Sequence, residues 1–125
     1  MTPIKSAIDY KKNLAVNTVK GKVNLRDITE HFSDYYRGKI TLNIIWDFTN
    51  ANLDDFPSED IRCVAKIGRK YIDQRKGGKT AIVTRHDFNF ALGRMLMVYT
   101  EMENFPVSLK TFHALDEAMR WIFET

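Results

Sequence analysis

Five segments of the chain carry short apolar or alternating patterns that predict β-strands. The clearest is Ile40–Phe48, in which every second residue from Ile40 is apolar and the residues between them are mixed. Successive side chains of a strand point to opposite faces, so one face of this strand is predicted to be buried, with Trp46 in the core. The polar turn Thr49–Phe56 is predicted to follow it. The other predicted strands are Ile4–Tyr10, Leu14–Lys20, Thr80–Thr84 and Val107–Thr111.

Four further segments carry apolar residues at the spacing of an amphipathic helix. The second has an apolar stripe from Ile61 to Ile72, and the fourth is expected to bury Leu115. Gly38 is a natural end for the first helix. The predicted starts are the cap Asn24 for the first helix, the cap Ser58 or Asp55 for the second, the cap Asp87 for the third, and His113 or Ala114 for the fourth.

The resulting element order, ββαβαβαβα, predicts a single α/β domain over residues 1–125. The polar turn Lys11–Asn13 joins the first two strands into an antiparallel hairpin. Single helices separate the later strands, which predicts parallel pairing with right-handed crossovers. The predicted fold is therefore a mixed, mostly parallel five-stranded sheet. Because only one face of Ile40–Phe48 is wholly apolar, about four helices are expected to lie mainly on one face of that sheet.

Composition and charge narrow the class of protein. The chain is 44% apolar and 28% charged, its formal net charge is +3, and it contains one cysteine, Cys63. The small, dispersed positive charge does not favour a nucleic-acid partner. No apolar run is long enough for a membrane span, and Met1–Lys5 lacks a signal-peptide pattern. A lone cysteine excludes an internal disulfide and fits the cytoplasm.

The motifs that would indicate catalysis or a cofactor are missing from the sequence. No strand leads into a phosphate-binding glycine loop. His31, His86 and His113 form no metal-ligand pair by spacing, and no histidine close in sequence could activate Cys63. The helix dipole explains the acidic residues Asp54, Asp55, Glu59 and Asp60 around a helix start, and a cation site is the alternative. We therefore expect a non-enzymatic protein with no cofactor and no bound metal.

Two chain tips remain as candidate binding regions, Asp47–Ser58 and Thr84–Phe90. Both follow parallel strands, and ligands of open α/β sheets gather at the carboxyl ends of the strands. Both lead into helix N-termini, which favour anions. The same aromatic residues could equally cap the core. The candidate binding residues are Asp47, Thr49, Asp55, Phe56, Ser58, Arg85, Phe88 and Phe90.

Several segments together resemble the STAS-like, SpoIIAA-like family of anti-sigma-factor antagonists. They are Val19-x-Gly21-x-Val23-x-Leu25, Ile45-Trp46-Asp47-Phe48-Thr49-x-Ala51-x-Leu53, Phe56-Pro57-Ser58-Glu59-Asp60-Ile61, Ala81-Ile82-Val83 and Glu117-Ala118-x-x-Trp121-Ile122. The resemblance implies a compact mixed sheet and a regulatory role through protein binding. It also makes Ser58 the candidate for the serine that a kinase phosphorylates in the antagonists. The family has an Asp-Ser-Ser-Gly-like turn where this chain has Asp55–Glu59, so a plain helix cap is the alternative role of Ser58.

Two functions follow as hypotheses. The first is a non-enzymatic cytoplasmic regulatory or protein-interaction module, controlled by phosphorylation, with a protein partner at the two tips. The alternative is a carrier of a small anionic or lipid-like ligand at the carboxyl edge of the sheet, lined by Phe48, Phe56, Phe88, Phe90 and Arg85. A deep closed pocket between the two tips would favour the carrier, and a flat, aromatic-rimmed tip would favour the protein partner.

Overall fold

Five strands and four α-helices follow one another in the predicted order. The computed structural model describes residues 3–85 and 87–124, with the side chain of Phe88 outside the description. The elements are β1 (Ile4–Asp9), β2 (Leu14–Lys22), α1 (Leu25–Arg37), β3 (Asn43–Asn52), α2 (Ser58–Gly68), a 3₁₀ turn (Ile72–Arg75), β4 (Lys79–Val83), α3 (Asp87–Met102), β5 (Ser108–Phe112) and α4 (Leu115–Ile122).

The strands form one sheet in the order β1-β2-β3-β4-β5. β1 and β2 pair antiparallel, from Ile4 opposite Val19 to Asp9 opposite Leu14, and Asn13 makes the tight turn between them with φ +55°. The remaining neighbours pair parallel. The prediction of a mixed, mostly parallel sheet is confirmed.

The helices divide three to one between the faces of the sheet. Helices α1, α2 and α3 pack with Ile44 and Trp46 of β3, whereas α4 packs with Ile45 on the opposite face. Right-handed crossovers between neighbouring strands place successive helices on the same side. The expectation that the helices lie mainly on one face is therefore confirmed.

Strand β3 begins and ends later than predicted. It starts at Asn43 and runs to Asn52, where Ile40 and Phe48 were the predicted ends. Before it, the hydroxyl of Tyr35 accepts a hydrogen bond from the Thr41 backbone N–H and so holds that segment in an irregular path. Beyond Phe48, the strand continues because Lys20–Lys22 of β2 pair with Asn50–Asn52. The polar side chains do not prevent this, since backbone groups make the ladder.

The two predicted helix caps on α1 and α2 have different outcomes. Asn24 caps α1, and its side-chain oxygen accepts a hydrogen bond from the Asp27 N–H, as predicted. The prediction that Ser58 or Asp55 caps α2 is wrong. Pro57 occupies the cap position, which makes Ser58 the first helical residue, and no side chain bonds the first turn. The fixed φ of proline holds the chain in the extended conformation that a cap position requires.

Three smaller predictions also need correction. Helix α2 ends at Gly68. The buried residue Ile72 therefore belongs to the separate 3₁₀ turn and not to α2. Asp87 is the first residue of α3, not the residue before it. Leu115 is 38% exposed at the start of α4, where Ala118 and Ile122 make the buried contacts. Within the described ranges, no helix is both long and apolar enough to cross a membrane.

Candidate functional site

A cavity of about 110 Å³ lies between the sheet and helices α1, α2 and α3. Its wall is apolar along most of its extent. The alternation of β3 places Ile44, Trp46 and Phe48 on this face, and α2 contributes Ile61 and Val64. An engineered apolar cavity of comparable size, about 150 Å³, binds benzene. The phenylalanine and tryptophan side chains of the wall are Phe32, Trp46, Phe48, Phe56 and Phe105.

Small residues on two helices leave this space unfilled. Ala65 and Gly68 of α2 line the cavity where larger side chains would project into it. Gly93 of α3 lets that helix approach the sheet, since a Cβ there would lie 2.7 Å from the Thr111 methyl group. The small side chain of Ala65 therefore helps to leave the space open, whereas Gly93 brings α3 close to the sheet beside it.

A hydrogen-bonded group of Ser6, Asn17 and His31 forms a polar part of the cavity's surroundings. The Asn17 side-chain oxygen accepts a hydrogen bond of 2.6 Å from the Ser6 hydroxyl and lies 3.2 Å from His31 Nε2. An amide oxygen only accepts, so Nε2 carries the ring proton. Burial lowers the pKa of His31, and the charge of Asp34 opposes this effect. The imidazole is thereby held neutral, with its edge against Trp46.

A buried guanidinium group forms a second polar part of the wall. Arg75 is 2% exposed and lines the cavity. Its Nε donates to the carbonyl oxygen of Leu42, and its Nη2 donates to that of Lys79. Burial raises the pKa of the neighbouring Tyr36, whereas the charge of Arg75 and its hydrogen bond to the phenol act in the opposite direction.

Two threonines bring hydroxyl groups to the same wall. Thr80 belongs to β4, and Thr84 follows the strand directly. Thr80 and Thr84 both line the cavity, on either side of Ile82. They are 6% and 1% exposed, and the hydroxyl oxygen of each is buried with no hydrogen-bond partner among the described residues. A buried hydroxyl without a partner destabilises the fold, at a cost of about 1–3 kcal/mol. Such groups need an explanation in a natural protein.

The residues predicted at the first tip divide between the surface and the core. Asp47 is half-buried and accepts hydrogen bonds from the backbone and hydroxyl of Thr49. Asp55 is exposed and pairs with Lys22 at 2.8 Å, which lowers the pKa of Asp55. Ser58 is exposed at the start of α2. Phe56 is 5% exposed and lines the cavity.

At the second tip, the candidate binding residues Arg85 and Phe90 do not line the cavity, whereas Thr84 and Asn89 of the same tip do. Arg85 is exposed, and Phe90 stacks on His113 with 4.1 Å between ring centroids. The side chain of Phe88, and His86 as a whole, lie outside the described residues. Of the aromatic residues predicted to line a ligand site, Phe48 and Phe56 do line the cavity.

The sequence did not predict the polar residues of the cavity wall as binding residues. They include Asn17, His31, Arg75, Thr80 and Thr84. One signal was present, because alternation places Thr80, Ile82 and Thr84 on the same face of a strand. The sequence does not indicate which face of that strand meets three helices. Arg75 stands in the basic, glycine-containing stretch Arg75–Lys79, and only the tertiary fold brings it next to Tyr36.

Comparison with solved structures identifies the architecture. An uncharacterised protein of the DUF3478 family with a SpoIIAA-like fold, from Shewanella loihica PV-4, superposes with a TM-score of 0.61 at 16% identity, covering 95% of this chain and 91% of that one. The chain has the SpoIIAA-like, or STAS-like, fold. An anti-sigma factor antagonist from Mycobacterium paratuberculosis superposes with a TM-score of 0.50 at 15% identity, covering 95% and 93%.

The SpoIIAA-like fold confirms the structural part of the resemblance that the sequence motifs indicated. No protein-family model matches the sequence, and neither does any curated protein. At identities of 16% and 15%, the two likenesses concern the fold, and function has to be argued from the site.

Proposed function

We propose that this SpoIIAA-like chain is a non-enzymatic binding module that holds a small apolar molecule in the cavity under α1, α2 and α3. The observation that carries the proposal is the cavity itself, about 110 Å³ with an aromatic and aliphatic wall. Sites for small molecules are concave and mostly apolar, with a few polar groups that orient the ligand. His31, Arg75 and Thr80 would be those groups.

The energetic cost of the cavity supports a role for it. Cavities destabilise proteins by about 24 cal/mol per Å³, so 110 Å³ corresponds to roughly 2.6 kcal/mol. Native proteins are stable by only about 5–15 kcal/mol in total. A larger side chain at Ala65 would remove part of this loss. A bound ligand would recover it in another way, by restoring the missing contacts.

The chemistry of the wall favours binding over catalysis. Among the described residues that line the cavity, the ionisable side chains are His31, Tyr35, Tyr36 and Arg75, without a carboxylate or a thiol. General acid–base catalysis needs a proton acceptor in reach of the substrate. Within this described set His31 is the group that titrates near neutral pH, and the wall offers it no carboxylate partner.

Toluene is a suitable first probe, because it matches the cavity in size and polarity. We expect saturating toluene to raise the unfolding free energy, by about 2.7 kcal/mol at a hundred times its dissociation constant. The variant Ala65→Met should abolish this stabilisation, since the flexible thioether enters the cavity. The matched control is Lys66→Met, which adds the same side chain at an exposed neighbouring position of α2.

Two results would contradict the binding function. One is an unchanged unfolding curve for the wild-type chain in saturated toluene. The other is an equal stabilisation of wild type, Ala65→Met and Lys66→Met, which would mean that toluene acts on the surface or on the unfolded chain. Denaturant unfolding followed by circular dichroism measures all three proteins.

A second candidate function is a cytoplasmic regulatory module that binds a protein at the tip Asp47–Ser58. The observation in its favour is the position of Ser58, which is exposed as the first residue of α2 and makes no capping bond. Its hydroxyl is therefore accessible to a kinase. A phosphate there would meet the free backbone N–H groups of the helix, although Glu59 and Asp60 would repel it. A solved protein with this fold is an anti-sigma factor antagonist.

Mass spectrometry of the protein purified from its native cells tests this second function. A phosphate mapped to Ser58 by peptide fragmentation supports regulation at the tip. A fully unmodified Ser58 peptide from both growing and starved cells would contradict it. The result bears on the tip alone, because Ser58 does not line the cavity.

A further inference from the structure

The charge of Arg75 has no counter-ion among the described residues. Its side-chain partners are the carbonyl oxygens of Leu42 and Lys79 and the hydroxyl of Tyr36, none of which carries a full negative charge. The residue is only 2% exposed, so bulk water does not compensate the charge either. Buried charges in proteins are normally paired. This one lines an apolar cavity large enough for a small molecule.

An unpartnered hydroxyl lies next in the chain to one of the Arg75 contacts. Arg75 Nη2 donates to the carbonyl of Lys79, the residue before Thr80. The Thr80 side chain lines the same cavity, and its hydroxyl lacks a partner. Rotation about one bond would turn this donor toward an acceptor in the cavity. Tyr36, whose pKa Arg75 influences, supplies a second O–H at the same end.

A carboxylate satisfies all of these groups at once. Its two oxygens accept several hydrogen bonds, and its geometry matches the guanidinium fork. The aromatic wall formed by Trp46 and Phe32 would then hold an apolar body attached to that carboxylate. The volume limits the body to about the size of a benzene ring.

We propose that the ligand of the cavity is a small monocarboxylic acid with an apolar body, whose carboxylate binds Arg75 and Thr80. This inference rests on the proposed binding function and names the chemical class of its ligand. It also moves the predicted anion site from Arg85, on an exposed tip, to Arg75 in the core.

Three probes of similar size test the proposal by calorimetry or by NMR titration of the full chain. Toluene tests the cavity alone, benzamide adds a neutral polar group, and benzoate adds the charge. We expect benzoate to bind at least about tenfold more tightly than benzamide, because charge-assisted hydrogen bonds are stronger than neutral ones. Arg75→Met should remove this preference.

Thr80→Val provides a test that does not disturb the buried charge. The substitution keeps the shape of the side chain and removes an unpartnered hydroxyl, so the fold should be retained. We expect it to weaken benzoate binding about three- to tenfold and to leave toluene binding unchanged. The matched control is Thr84→Val, another buried hydroxyl without a partner, which follows β4 directly and lies about 13 Å along the extended chain from Thr80. It should leave benzoate binding unchanged.

The outcomes separate this inference from the function on which it rests. If toluene binds but benzoate binds no more tightly than benzamide, the proposal of a carboxylic acid ligand is overturned, and the proposed binding function stands. Equal weakening of benzoate by Thr80→Val and Thr84→Val would also overturn it. If none of the three probes binds, the binding function itself fails. Should Arg75→Met not fold, the probe comparison and the two threonine variants still decide.

Discussion

His31 illustrates how a single side chain depends on its neighbours in this core. Its ring stands edge-on to Trp46, with 5.4 Å between centroids, and its Nε2 lies 3.0 Å from the Ser6 hydroxyl and 3.2 Å from the Asn17 oxygen. Burial favours the neutral ring. Protonation would add a charge at the edge of the apolar cavity.

The lowered pKa of His31 predicts a pH-dependent stability. In the unfolded chain the imidazole titrates near pH 6.5. Between the lower folded-state pKa and about pH 6.5, the unfolded chain binds more protons, so the unfolding free energy decreases as the pH falls through this window. His31→Gln should reduce the difference in unfolding free energy between about pH 7.5 and 5.5. Urea unfolding at both pH values measures it, and an identical difference in the two proteins would contradict the prediction.

Trp46 should be among the most costly positions for truncation. It is 8% exposed and contacts the rings of His31, Phe32 and Phe48. We expect Trp46→Ala to lower the unfolding free energy by about 3–5 kcal/mol, since the loss of ring contacts adds to an existing cavity. Val98→Ala, at a 54% exposed position of α3, is the control and should cost less than about 0.5 kcal/mol. A cost for Trp46→Ala below about 1 kcal/mol would mean that the ring lies elsewhere.

At the level of residues, the sequence predicts burial better than it predicts polar contacts. The inward position of Trp46 follows from simple alternation along β3. The contact between His31 and Asn17 joins residues from α1 and β2. The hydrogen bond from Arg75 to the carbonyl oxygen of Leu42 joins residues that are 33 positions apart in the chain. Such contacts depend on the final arrangement of the elements, and no local pattern encodes them.

Among the elements, α1 and α2 begin in different ways. Asn24 and Asp27 bond each other's backbone N–H groups in a reciprocal cap on α1. The first turn of α2 follows Pro57 and relies on the carboxylates Glu59 and Asp60 without a side-chain cap. The first arrangement satisfies backbone donors directly, and the second only places negative charge near them.

This difference predicts unequal effects of two alanine substitutions. Asn24→Ala should lower the unfolding free energy by about 1 kcal/mol, because two backbone N–H groups lose their partners or their geometry. Ser58→Ala should change it by less than about 0.5 kcal/mol, because Ser58 caps nothing. Denaturant unfolding of the two variants side by side measures the contrast. Equal losses would indicate that Ser58 bonds the first turn in solution.

The elements themselves were largely predictable from the sequence, whereas some of their ends were not. The order of nine strands and helices, the Asn24 cap and the hairpin turn at Asn13 all follow from local patterns. The extension of β3 to Asn52 depends on pairing with Lys20–Lys22 of β2. Backbone pairing of polar segments leaves no hydrophobic pattern, so the sequence does not reveal it.

For the whole molecule, the two faces of the sheet are very unequally covered. Three helices cover one face, where the cavity lies, and α4 alone covers the other. The presence of a cavity was not predictable, because it is a difference between the space that three helices enclose and the volume of the side chains inside it. Neither quantity appears in a hydrophobic pattern.

The single cover of the second face makes Ala118 a sensitive position. Ala118 is fully buried between α4 and the strands that carry Ile45 and Val83. Ala118→Asp would bury a carboxylate without a partner, and we expect it to lower the unfolding free energy by at least about 3 kcal/mol. Glu117→Ala, at an exposed position of the same helix, should cost less than about 0.5 kcal/mol. Similar unfolding midpoints for both variants would show that α4 is not packed on the sheet.

The position of α4 after all five strands also has a consequence for how a new chain matures on the ribosome. Each strand pairs with the one synthesised before it, so the sheet and its first three helices assemble as the chain emerges. The apolar face around Ile45 stays in contact with water until the eight residues of α4 have left the exit tunnel. During that interval the nascent chain presents an apolar surface of the kind that promotes aggregation before folding is complete.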